Sequence, residues 1–304
     1  MLENASPAAS VTGWHRKLLT AAAVFITLLI AAGGVLCVTQ SIRGCPDWPG
    51  CFGKLYPPLE ASPILEYIHR VLAASSGALI LAAAIAGLVK ARRLGWILVP
   101  PLVAVALLVE VSYFGATVVL KGLAPGWAAV DVGSALLATA LIVTTARLAQ
   151  RGQPYGLSLR NPLAKLALAT VAAVYVVLVS GVLVAGKNSI TGCLGWPLYD
   201  PRQVQLDGHG LWNLLRLGVS GVGLGLMTVL LIQARRKREE RPGVYRMAKW
   251  VLLAVLVEAG LQLLLLAVGL KVGLLVPYTI TMALLWGLLV ALMVEAGNIA
   301  EFRF

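Results

Sequence analysis

The sequence predicts an all-α integral membrane protein with eight transmembrane helices. Apolar residues make up 59% of the 304-residue chain and charged residues only 12%, whereas a soluble protein of this length needs far more polar surface. The apolar residues are gathered into eight long segments, and about 20 such residues suffice for a helix to cross a bilayer. Basic residues are concentrated in alternate connections between the segments, as the positive-inside rule describes for multi-pass proteins.

The eight segments can be placed in order along the chain. Each is long enough and apolar enough to span the hydrocarbon core. The first is too long for the apolar region of a signal peptide, so we expect it to be retained as a helix. In chain order the predicted helices are approximately Leu18–Val38, Leu65–Leu88, Trp96–Leu120, Trp127–Ala146, Leu163–Ala185, Leu211–Ile232, Trp250–Leu270 and Leu274–Glu295.

The basic residues predict the orientation of these helices. Four clusters fall on one side of the membrane, at 15–17, 90–93, 147–165 and 235–249. The positive-inside rule therefore predicts that both termini are cytoplasmic and that loops 38–64 and 186–210 face outside the plasma membrane. The net charge of +12 is mostly this topology signal. Because it is divided among short loops, we expect the lipid bilayer and not a nucleic acid as the partner of these charges.

Two cysteines in the first outward loop suggest a disulfide. Cys45 and Cys51 enclose a short Pro-containing turn, and an oxidising exterior would favour a bond between them. Two free thiols or a metal site are the alternatives. Cys37, at the end of the first helix, is expected to be a packing residue, while Cys193 has no cysteine partner within its own loop.

An internal repeat divides the chain into two halves, 1–155 and 156–304. The Cys-Xaa-Xaa-Trp-Pro motif at Cys45 recurs at Cys193, an offset of 148, and the pair Val109-Glu110 recurs as Val257-Glu258 at the same offset. Each half would hold four helices and begin in the cytoplasm, so the repeats are predicted to be parallel.

The most distinctive cluster is Glu66, His69 and Arg70 at the start of the second segment. Glu66 and His69 are three residues apart and so share one face of a helix. An imidazole there can bind iron or titrate, a neighbouring carboxylate can orient it or carry protons, and the forked donors of Arg70 suit a carboxylate or propionate. The alternative is that the three residues merely cap a helix at the membrane interface.

These motifs resemble the heme A synthase family. The resemblance covers the whole eight-helix layout and is most specific in the first half. Members of that family oxidise a methyl group of heme O to a formyl group, which yields heme A for terminal oxidases. The segments that carry the resemblance are 33–35, 45–53, 66–70, 115–120 and 123–125.

The resemblance assigns roles to individual residues. It implies that His69 is a heme-iron ligand, that Glu66 takes part in the oxidation, that Asp131 stands at the fourth-helix ligand position, and that Cys45 and Cys51 are the outer cysteine pair. Arg70 is the candidate for binding a heme propionate. In the second half the family's sixth-helix ligand position falls on Leu217 at the offset of 148, or on Leu215 if the intervening loops differ by two residues, and the eighth-helix position falls on or near Thr279.

Three of the four histidines that the family would supply are therefore absent. With only three histidines in the chain, we expect at most one heme site, in the first half. His209, six residues from a family position, is interpreted as an interface histidine, with iron ligation as the alternative. Glu110 and Glu258 are expected to form a polar bridge between helices.

Two functions from different classes remain. The first is a heme A synthase-like membrane oxidoreductase that acts on heme O for terminal oxidase biogenesis. The second is a non-catalytic heme-binding accessory or assembly subunit of a respiratory or photosynthetic membrane complex. The expected protein partner is such a complex or a second copy of the chain, and the expected ligand is heme O or heme b. A transporter would fit parallel repeats but gives the Cys–Glu–His cluster no role.

Overall fold

Eight long helices make up the computed structural model. It describes residues 11–151, 157–184, 193, 195, 196 and 208–297, without the side chains of 184 and 208–213. Apart from one isolated bridge between Cys51 and Lys54, these residues contain no strand. The helices are α1 Gly13–Val38, α2 Ala61–Lys90, α3 Gly95–Leu120, α4 Pro125–Gln150, α5 Pro162–Val184, α6 Gly208–Arg236, α7 Pro242–Val268 and α8 Val272–Ala296.

All eight helices contain a stretch long and apolar enough to cross a bilayer. The predicted fold class, an eight-span integral membrane protein, is confirmed. Most helices extend a few residues beyond the apolar segments, because a helix continues past the hydrocarbon core into the polar interface. α2 begins at Ala61 rather than Leu65, and α7 begins at Pro242 rather than Trp250. α7 stops at Val268, two residues early, because Gly269 adopts a positive φ of 85°.

The helices pack as two rings of four. In the first ring, α1 contacts α2, α2 contacts α3, α3 contacts α4, and α4 returns to α1. In the second ring, α5, α6, α7 and α8 contact one another in the same cyclic order. α1 and α4 of the first ring pack on α5 and α8 of the second. In each ring, therefore, the second and fourth helices lie diagonally across the interior.

The contact between the rings is well packed. Trp286 of α8 is 1% exposed, and its indole N–H donates to the Leu136 carbonyl of α4 at 3.1 Å. At the end of α8, Glu295 pairs with Arg151, and the Ala296 carbonyl accepts from Asn161 at 2.8 Å and Arg241 at 2.9 Å. The α4–α5 and α6–α7 connections thus hold the end of α8. We call the opposite side of the molecule, where α1 ends and α2 begins, the disulfide side.

Candidate functional site

The loop between α1 and α2 is closed by a disulfide. Cys45 and Cys51 are bonded, and both residues are fully buried. The predicted pairing is therefore present in the structure, and the alternatives of free thiols or a cysteine-ligated metal do not apply. We call residues 45–51 the cysteine loop.

Asp47, a residue of the cysteine loop, closes the turn that follows this loop. Its carboxylate accepts from the backbone N–H of Phe52 at 2.6 Å and of Gly53 at 2.7 Å. These two residues adopt positive φ angles of 54° and 69°, so both amides can point at one side chain. The hydrogen bond from Gly53, followed by that from Phe52, lowers the pKa of Asp47 below its usual value, because both stabilise the ionised form.

Glu66 joins the cysteine loop to α2. Its side chain is 3% exposed, and Oε2 accepts from the Cys45 N–H at 2.7 Å. Oε1 lies 2.5 Å from Nη2 of Arg70, one helical turn further along. Glu66 therefore lies in the second turn of α2 with its carboxylate directed at the loop.

Arg70 completes this connection. Its guanidinium donates to the carbonyls of Cys45 at 3.3 Å, Asp47 at 2.8 Å and Pro49 at 3.3 Å, and also to that of Gly50. The described partners of Arg70 are thus loop carbonyls and Glu66. Its role with a heme propionate stays a prediction.

The capping alternative is wrong for these residues. The N-cap of α2 is Glu60, whose side chain makes no capping hydrogen bond. Glu66 and Arg70 instead bind a loop that is distant in sequence, and His69 lies even further from the first turn.

His69 faces the neighbouring helix α1. A methyl group built at Gly33 would lie 3.4 Å from Cε1 of His69, so the imidazole packs directly on the α1 backbone. Its Nδ1 atom is buried and has no hydrogen-bond partner among the described residues. A buried ring nitrogen without a partner requires an explanation, and a ligand at the ring is one.

Across the ring, α4 provides a second unpartnered atom. Oδ1 of Asp131 is buried without a hydrogen-bond partner among the described residues. Its electrostatic neighbour on α3 is Glu110, which accepts from Ser134 of α4 at 2.8 Å. Glu110 forms the expected bridge between helices, and among the described residues the atoms of the site that lack hydrogen-bond partners belong to His69 and Asp131.

The sequence of the chain matches one protein family over most of its length. A model of the cytochrome oxidase assembly protein family matches residues 16–290. The chain belongs to this family.

Three relatives named heme A synthase illustrate the similarity. The chain is 26% identical to the Halalkalibacterium halodurans protein over 245 residues, 78% of this chain and 81% of the relative. It is 25% identical to the Bacillus licheniformis protein over 276 residues, 86% and 89% of the two chains. With an Exiguobacterium species the identity is 29% over 177 residues, 56% of this chain and 58% of the relative. In that last comparison the chain spans less than two thirds of its relative.

Membership in the heme A synthase family implies a heme, and the first ring fits one. α2 and α4 are diagonal in that ring, and side chains from facing helices of a four-helix bundle commonly hold a cofactor between them. His69 has a nitrogen of the kind that binds heme iron, Asp131 has a carboxylate, and both carry a buried atom without a described partner.

The second ring does not fit a heme in the family's manner. Leu215 and Leu217 are 52% and 36% exposed and have no ligating atom. The Thr279 hydroxyl donates to its own helix, at the Val276 carbonyl. His209 lies in the first turn of α6, but its side chain is outside the described residues, so neither reading of it is tested.

Two buried donors hold the second loop against this ring. Arg216 of α6 is 4% exposed and donates to the Val177 carbonyl at 3.3 Å and the Gly195 carbonyl at 3.1 Å. Tyr278 of α8 is 3% exposed and donates to the Trp196 carbonyl at 3.2 Å. Sequence reasoning missed this contact, although Arg216 aligns with Arg70 at an offset of 146.

The expectation for Cys37 is wrong. Cys37, predicted to be a packing residue, is bonded to Cys193, so α1 of the first ring is covalently joined to the loop after α5. The signal was present in the sequence: Cys193 lacked a partner in its own loop, and Cys37 lay on the same predicted side of the membrane.

Proposed function

We propose that this protein is a heme A synthase-type oxidoreductase of the plasma membrane, which oxidises the methyl group of heme O to a formyl group. The site is the interior of the first ring, between α2 and α4. The observation that carries this proposal is the unpartnered, buried nitrogen of His69, held against Gly33 in a chain of this family. In the proposed orientation both termini are cytoplasmic, and the cysteine loop faces outside.

Each residue of the site has a role in this proposal. His69 would hold heme O through its iron, and an electron acceptor outside this ring would take up the electrons that the oxidation releases. Asp131 lies across the ring and holds a proton or a hydrogen bond opposite His69. Glu66 and Arg70 keep the cysteine loop over the end of the ring, which limits access of water to the site, while Glu66 remains the candidate for proton transfer.

A non-catalytic role is the second candidate, and the second ring favours it. Converting a methyl to a formyl group takes an oxygen atom from water and releases protons and electrons, so an electron acceptor must receive those electrons. The family's second heme would provide that route, but Leu215 and Thr279 cannot bind it. The alternative is therefore a heme-binding accessory or assembly subunit of a respiratory or photosynthetic complex.

The heme content of the purified full-length protein tests the site. We expect a reduced-minus-oxidised heme spectrum and a positive pyridine hemochrome assay for the wild type, and loss of heme in His69→Ala. His15→Ala is the matched control, since His15 is also a buried histidine with an unpartnered ring nitrogen but lies near the opposite end of the first ring. Heme retained in His69→Ala, or absent from the wild type, would contradict the site.

Complementation separates the two functions. In a bacterial strain that lacks heme A synthase, the enzyme would restore heme A, detected by chromatography of extracted hemes, and Glu66→Gln would reduce it. A wild-type protein that binds heme but restores no heme A would favour the accessory role.

A further inference from the structure

A buried carboxyl group in the second ring has no hydrogen-bond partner among the described residues, so Glu258 does not form the expected polar bridge with any of them. Glu258, in α7, is 2% exposed, and neither Oε1 nor Oε2 has a hydrogen-bond partner among the described residues. It lies ten residues, or about 15 Å along the helix axis, from the disulfide-side end of α7. The segment around it is apolar enough to span a membrane.

The repeat interpretation accounts for this isolation. At the offset of 148, Glu258 corresponds to Glu110, which accepts from Ser134 at 2.8 Å. The position of Ser134 corresponds to Met282, which is fully buried and cannot donate, and that of Asp131 corresponds to Thr279, whose hydroxyl is committed to its own helix. The second ring has kept the acid and replaced the groups around it.

An isolated carboxylate in such a place is strongly unfavourable. Moving an ionised carboxylate into an apolar interior costs several kcal/mol, even after the surroundings relax. Protonation removes the charge, and an ionisable group inside a membrane protein commonly marks a functional site. We propose that Glu258 is a proton-binding site, whose carboxyl group holds a proton in the folded protein at neutral pH. This proposal is independent of the heme site and of the oxidation.

The neighbouring ionisable groups are consistent with a neutral Glu258. On α8, Tyr278 is within electrostatic range of Glu258, but its hydroxyl donates to the Trp196 carbonyl. On α6, Arg216 donates to the carbonyls of Val177 and Gly195, among its contacts. Among the described side chains, Tyr278 and Arg216 are the ionisable ones in the third of α8 and of α6 that lies nearest the disulfide side.

Infrared spectroscopy of the full-length protein tests the protonation state directly. We expect the wild-type minus Glu258→Gln difference spectrum at pH 7 to show the carbonyl stretch of a protonated carboxylic acid, shifted in D2O, and no carboxylate bands. Glu239→Gln is the matched control, since Glu239 is 87% exposed and its removal should delete carboxylate bands only. Glu258→Asp should move the acid band rather than abolish it.

The stability of the variants provides a second measurement. A carboxyl group that is protonated when folded and ionised when unfolded binds more protons in the folded state, so raising the pH destabilises the wild type. Glu258→Gln should therefore unfold at a temperature at least as high as the wild type at pH 7, with the difference growing at higher pH. Carboxylate bands in the Glu258 difference spectrum would overturn the proposal. Acid bands that appear only when Na⁺ is removed would also overturn it, because they would indicate a cation site. The His69 heme assay would be unaffected by either result.

Discussion

Two arginines, one in each ring, determine how the loops on the disulfide side are held. Arg70 donates to four loop carbonyls, and Arg216 donates to the Gly195 carbonyl. A guanidinium has five N–H donors in a fixed plane and no acceptor, so one side chain can satisfy several carbonyls at once. Arg70 and Glu66, 13% and 3% exposed, form a largely buried, hydrogen-bonded pair, in contrast to the exposed pairs Lys237–Glu240 and Arg238–Glu239 on the opposite side of the molecule.

Removing Arg70 should loosen the cysteine loop. Loss of one partner from a buried ion pair costs about 3–5 kcal/mol, because the other charge is left uncompensated. We therefore expect Arg70→Ala to destabilise the protein by that amount in thermal unfolding and to speed tryptic cleavage after Lys54. In the control, Lys237→Ala breaks a pair whose side chains are 44% and 73% exposed and should cost less than about 1 kcal/mol. Equal effects of the two substitutions would show that Arg70 does not hold the loop.

At the scale of elements, the apolar segments located all eight described helices. They did not reveal which residues the helix ends contact. The apolar segment at Leu65 located α2, but the helix begins four residues earlier, at Ala61. That difference of four residues moves Glu66 from the helix entrance into the second turn, where it binds Cys45. Local sequence carries no information about this contact, since the two residues are 21 positions apart.

The link between α1 and the loop after α5 shows the same limit. Cys37 and Cys193 are 156 residues apart, and only the packing of the two rings brings them together. The Cys45–Cys51 pair, six residues apart, was predictable because the spacing itself keeps the two residues close. Sequence reasoning therefore succeeded for the local bond and failed for the one that depends on tertiary structure.

The bond between Cys37 and Cys193 should contribute substantially to stability. A native disulfide that closes a long loop typically stabilises a protein by about 2–5 kcal/mol. Cys37→Ser and Cys193→Ser should each lower the unfolding temperature, and the double variant should be no worse than either single one. Mass spectrometry of the unreduced wild type should recover the two cysteine peptides joined. A double variant with the sum of two independent losses would mean that the cysteines are not partners.

For the whole molecule, the two rings have the same order of helix contacts but different contents. We propose that they are the two repeats predicted from the sequence, and the matching acids Glu110 and Glu258 support this. The first ring keeps His69 and Asp131 with unpartnered atoms, while the second has Leu215 and Thr279 at the family's ligand positions. The sequence could predict this asymmetry, because it depends on residue identity. It could not predict that Tyr278 and Arg216 hold the second loop, because that depends on packing.

The asymmetry predicts how much heme each chain can hold. Because we propose that only the first ring binds heme iron, we expect no more than one heme per polypeptide, measured by pyridine hemochrome against quantitative amino-acid analysis. The double variant Leu215→His, Thr279→His should not add a second heme, because Leu215 is half exposed and a histidine at that position would be as open to the surroundings. Its heme-to-protein ratio should equal that of the wild type. A ratio near two in the wild type would mean that the second ring binds heme through groups other than those of the family, and a doubled ratio in the variant would mean that the ring interior is open. Either result would contradict the prediction that the second ring binds no heme.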